Sequence, residues 1–102
     1  MNIKAAEIMD YLYRHPWSTK EEIKRNINFK SERQLRYLLE YLEKKRWIKG
    51  RKRNVELIGR VKNLGDYARP KEYEINMDYN RSISLHKIYN RYGTFKVFAK
   101  SD

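Results

Sequence analysis

Apolar residues recur at the three-and-four spacing of a helix over the first half of the chain, and at the spacing of a strand over parts of the second. Residues 3–14 carry Ala5, Ile8, Met9 and Leu12 on one face, and Pro16 closes that helix by pushing its predecessor out of helical geometry. A short second helix over about 19–26 turns Ile23 and Ile27 inward. Its cap is Ser18 or Thr19, because Ser18–Glu21 and Thr19–Glu22 both have capping-box spacing. Asn26 and Asn28 suit the turn that follows, since asparagine tolerates the left-handed backbone, and Phe29 is its apolar plug. The third helix opens at Ser31, with Gln34 three residues on as the second half of a capping box, and Leu35, Leu38, Leu39 and Leu42 form its inward stripe.

Past Trp47 and Ile48 the period changes. Residues 55–61 place Val55, Leu57 and Val61 on one side of a strand, Asn63-Leu64-Gly65-Asp66 signals a turn, and Tyr73, Ile75 and Met77 alternate along a second strand. A final helix is expected over 83–92, carrying Leu85, Ile88, Tyr89 and Tyr92, capped by Ser82 or Ser84 and stopped by Gly93. Phe95, Val97 and Ala99 then read as a short strand. The pattern predicts an α+β fold of three helices, a hairpin and a C-terminal helix/strand extension.

Composition narrows the function. The chain has 102 residues, enough for one domain with a thin core, and its 40% hydrophobic content is too high for a disordered tail. No uncharged stretch approaches a membrane span, and the N-terminus lacks a signal-peptide pattern, so a soluble cytoplasmic protein is expected. Without cysteine, and with only His15 and His86 as imidazoles, the sequence offers no metal site. Its four glycines are isolated, so no phosphate loop exists, and no residues are spaced to support a tyrosine nucleophile. Neither catalysis nor a cofactor is expected.

The net charge of +11, from 24 basic and 13 acidic residues, draws in polyanions. Its placement matters more than its size. Arg33, Gln34, Arg36 and Tyr37 lie on the third helix away from its leucines, and are side chains suited to base edges and phosphates. On an isolated helix they would pass for a solvated face; beside a capped helix-turn-helix and this charge they point to DNA. Residues 44–53 hold Lys44, Lys45, Arg46, Lys49, Arg51, Lys52 and Arg53 without one acid, a phosphate-facing pattern indifferent to sequence. Lys30 before the helix, and Lys62, Arg69 and Lys71 around the hairpin loop, extend the set. Of the nine tyrosines, Tyr11, Tyr13, Tyr41 and Tyr73 fall at core or core-edge spacing, whereas Tyr37 and Tyr67 are candidates for stacking on bases. Trp17 and Trp47 read as packing residues. Abundant Lys, Arg, Glu, Ile and Tyr with a single glutamine agree with a heat-adapted source.

Residues 19–48 resemble the winged helix-turn-helix of small prokaryotic, archaeal and viral transcription regulators. Thr19, Glu22, Ile23 and Ile27 fall where that family has its cap, acid and apolar pair; Leu35, Leu39, Leu42, Glu43 and Ile48 match its recognition helix and the strand after it. Lys24 stands where the family has a small residue, and Arg46 where it has the glycine that ends the helix. The resemblance implies a winged-helix domain over 1–77 that binds double-stranded DNA, with the third helix in the major groove and the wing on phosphates. It also implies that residues 78–102 pair subunits in a homodimer, located in a host's cytoplasm if the chain is viral or plasmid-encoded. The rival expectations are RNA or single-strand binding on the same fold, and a winged helix that serves as a protein-interaction module.

Overall fold

A computed structural model describes residues 2–52, 70–76 and 80–99. Helix α1, Ile3–Arg14, is capped by Asn2, whose side chain accepts the Lys4 N–H at 2.6 Å. Its Ala5, Ala6, Ile8, Met9 and Leu12 are buried, as their spacing required. Trp17, at φ 61°, turns the chain into β1, Ser18–Thr19. Helix α2, Lys20–Asn26, begins on a reciprocal box between Thr19 and Glu22, while the Ser18 hydroxyl donates instead to the His15 carbonyl at 2.6 Å. Thr19 is therefore the cap.

Helix α3, Glu32–Lys44, buries Leu35, Leu38, Leu39 and Leu42. A fully buried leucine is worth about 1.5–3 kcal/mol, so this stripe, more than helix propensity, fixes the rod in place. The Ser31 hydroxyl accepts the Gln34 N–H at 3.1 Å, but the Gln34 amide oxygen takes the N–H of Lys30, at 2.7 Å, and not that of Ser31. The expected box is thus displaced by one residue. At the other end the Arg46 N–H reaches the Glu43 carbonyl and the Trp47 N–H reaches that of Leu42, both at 3.0 Å, with Arg46 left-handed at φ 61°. That is a Schellman motif with arginine in the glycine position. Asn26 and Asn28 do not use the left-handed region; the non-glycine residues there, among those described, are Trp17 and Arg46. Phe29 packs against the core, and so does Ile27.

Strands β2, Ile48–Lys52, and β3, Lys71–Ile75, complete an antiparallel sheet of order β1-β3-β2, with Ser18 opposite Tyr73 and Gly50 opposite the same residue from the far side. The partner of β3 is therefore the strand running through the basic block, whereas 55–61, the 63–66 turn, Tyr67 and Met77 lie outside the described residues. Ile48, Tyr73 and Ile75 face the helices and join one core with Ile23 and the leucines of α3.

Helix α4 spans Asn80–Tyr92, starting ahead of the expected caps Ser82 and Ser84, and stops at Gly93, φ 70°. Residues 95–99 are not a strand. Lys96–Phe98 form a 3₁₀ turn, and Phe95 is buried in the shared core. The reason is a long-range tie: buried Asp10 of α1 accepts the Thr94 hydroxyl and the Phe95 N–H, each at 2.6 Å. Tyr13 stacks on Tyr89 at 3.8 Å between ring centres, and its hydroxyl meets His86 Nδ1 at 2.6 Å. The result is a small α+β domain with, among the described residues, four α-helices and a three-stranded antiparallel sheet. No described helix is long and apolar enough to cross a membrane.

Candidate nucleic-acid interface

The leucine stripe of α3 determines what its other side offers. Arg33, Arg36 and Tyr37 are exposed, Tyr37 by 64%, and neither arginine makes a hydrogen bond or ion pair within the described structure. Gln34 differs: it is half-buried, and its oxygen is engaged by Lys30. Glu32, the acid of the first turn, is also engaged. Lys20 approaches it at 2.9 Å and Lys24 at 3.7 Å, and the Lys20 hydrogen bond, then the charges of both lysines, hold its carboxyl below the usual carboxylate range. These pairs tie α2 to α3. Exposed Lys24 reaches Glu32 across from α2.

The basic block divides into two groups. Lys30, Lys44, Lys45 and Lys52 are exposed, Lys45 lying over the Tyr41 ring at 5.9 Å. Exposed Arg46 spends its backbone on the end of α3 and on Asn76, whose side-chain amide donates to the Arg46 carbonyl at 3.2 Å. The strand cations are the second group. Arg51 pairs with buried Glu72 at 2.8 Å and stacks 3.6 Å from the Trp17 ring, with Lys49 over the same ring at 5.8 Å. Lys71 donates to both Glu43 oxygens, at 2.8 and 2.9 Å. Gly50 is what lets it do so, because a side chain there would collide with the Lys71 methylenes.

Arg51 and Lys71, expected to meet phosphates, each carry a carboxylate partner, Glu72 across the sheet for Arg51 and Glu43 of α3 for Lys71. Arg53, Lys62 and Arg69 lie outside the described residues. Trp17, expected to pack, is half-buried and serves as a shelf for cations. Sequence reasoning missed that role, along with the ion pairing of Glu72 and Glu43; the acids beside Lys71 in KEYE were its only trace. Tyr11, Tyr13 and Tyr41 sit half-buried against the core, and Tyr73 lies within it.

What remains is a patch of Arg33, Arg36 and Tyr37 on a rigid helix, with exposed Lys30 before it, Lys44 and Lys45 at its far end and Lys52 on β2. Such a surface can donate hydrogen bonds and offer positive charge and one flat ring. Among the described residues no cluster of His, Asp and Glu could hold a metal. The chain matches no family model, and no curated protein or solved structure shows significant similarity to it.

Proposed function

We propose that this chain is a winged-helix domain that binds double-stranded DNA as a transcription regulator, with the N-terminal half of α3 in the major groove. The observation that carries the proposal is the state of α3: one side is anchored by four leucines, and the other holds two arginines and a tyrosine that are exposed and make no hydrogen bond or ion pair among the described residues. The element order agrees, since a helix, a short strand, two helices and two antiparallel strands put α3 at the front of such a fold. Arg33, Arg36 and Tyr37 meet base edges, and Lys30, Lys44, Lys45 and Lys52 neutralise phosphates. Ion-paired Arg51 and Lys71 stiffen the base of the wing. Tyr92, Val97 and Phe98, about half exposed near the chain end, fit a contact between two copies, which would then read half-sites about one helical turn apart.

Binding to a random duplex pool, followed by fluorescence anisotropy from low to high salt, tests this. Affinity should fall linearly with log salt, and Lys52→Ala should lower the slope by about 0.9 for its one lost phosphate contact. Arg33→Ala should cost about 1–3 kcal/mol on selected DNA and little on scrambled DNA. Lack of duplex binding at low salt would sink the proposal. The exposure of Tyr37 favours one rival, stacking on unpaired bases, and a preference for single strands or RNA hairpins at fixed salt would establish that reading instead.

A further inference from the structure

Resting on that reading, we infer that α3 selects guanine, and that Gln34 positions the helix without reading adenine. An adenine edge presents an acceptor beside a donor, and a glutamine reads it with both ends of its amide at once. Here one end is taken. The Lys30 N–H can only donate, so the Gln34 atom 2.7 Å from it must be the carbonyl oxygen, which leaves the –NH₂ as the end of the amide with no hydrogen-bond partner among the described residues. The other acceptor in this turn, the Glu32 carboxylate, is exposed but paired with Lys20 and Lys24, so a cytosine amino group would have to compete with two ammonium groups for it.

Arg33 and Arg36 are exposed guanidinium groups and can only donate. Between Lys30 and Tyr37 the unpaired outward groups are thus mainly donors; the Ser31 and Tyr37 hydroxyls both give and take, and the exposed Glu32 carboxylate is held by two lysines. Exposed Glu40 stands one turn further along and bounds the patch. The one base edge with two adjacent acceptors in the major groove is guanine, N7 beside O6, and an arginine fork fits both.

Selection of bound duplexes from a random pool with the full chain, then repetition of binding with 7-deazaguanine or 7-deazaadenine at the enriched positions, tests the assignment. Guanine should dominate those positions, and loss of its N7 should weaken binding by about tenfold, within the range of one bidentate pair. Gln34→Glu keeps an oxygen for the Lys30 N–H and should lower affinity evenly without changing the preferred bases. Arg33→Lys keeps the charge, loses the fork, and should relax one guanine position. Enrichment of adenine at a position that shifts with Gln34→Glu, or duplex binding with no enrichment, overturns the inference and leaves DNA binding standing. Absence of any duplex binding removes both.

Discussion

At the scale of single residues, two side chains show how far local chemistry can be pushed by its surroundings. Arg46 holds φ at 61°, where a Cβ costs about 1–2 kcal/mol, because the Schellman bonds and the burial of Ile48 two residues on require the turn. Arg46→Gly should relieve that strain, partly offset by the greater freedom of glycine in the unfolded chain. A net gain of about 0.5–1 kcal/mol in urea unfolding is expected, with Arg46→Ala near neutral; a loss for glycine would show that the arginine side chain matters more than its backbone. Tyr73 is the second case. Burial, then the charges of Glu43 and Glu40, push its phenol up to about 12 from 10.0. The folded protein therefore holds this proton more tightly than the unfolded chain, and its contribution is complete below pH 10 and lost as pH climbs from 10 toward 12. Stability should decline across that window in the wild type and more shallowly in Tyr73→Phe, as followed by denaturant midpoints.

At the scale of elements, success and failure in reading the sequence divide by the range of the interactions. The boundaries of α1, α2 and α3 were legible because each is set within four residues, by a cap, a proline or a leucine stripe. The exposure of the outer face of α3 and its charge were legible for the same reason. The displaced box at Gln34 was not, since Ser31 and Lys30 both offer an N–H within reach and only the path of the turn decides between them. Phe95-Lys96-Val97 has the alternation of a strand, yet the bond that bends it comes from Asp10, 85 positions away. Arg51 and Lys71 counted as free cations until the register put Glu72 opposite Arg51, and the fold put Glu43 beside Lys71. The displaced box also gives an element-level prediction. Ser31→Ala removes the acceptor for the Gln34 N–H and should cost about 1 kcal/mol of stability. Because Gln34 also ties down Lys30, the first turn of α3 should loosen with it. Hydrogen exchange should then speed up at Gln34 and Lys30 first, whereas uniform acceleration along α3 would mean that the cap does not act locally.

At the scale of the whole molecule, α1 is the member that joins the chain's two ends. It touches α3 and β3 through its apolar face, and through Asp10 and Tyr13 it receives α4 and the 3₁₀ turn. A carboxylate as buried as Asp10 is tolerable only while its oxygens are matched by donors, which here are the Thr94 hydroxyl and the Phe95 N–H. Asp10→Ala leaves both donors without an acceptor and should cost about 2–4 kcal/mol, one to two unsatisfied groups at about 1–3 kcal/mol each. Asp10→Asn should cost less, because its oxygen can still take the Phe95 N–H while the Thr94 hydroxyl rotates to accept from the –NH₂. The Phe95 amide should exchange fastest in the alanine variant, and the Tyr13–Tyr89–Phe95 cluster should lose order with it. Yet no hydrogen bond or ion pair runs from Asp10 to α3, which meets α1 through the shared apolar core, away from its outer face. Base preference in both variants should therefore match that of the wild type at temperatures well below unfolding. If Asp10→Ala altered the preferred bases while α3 stayed protected, the chain's end and its reading face would be coupled through α1, and the two could no longer be treated as independent parts of the fold.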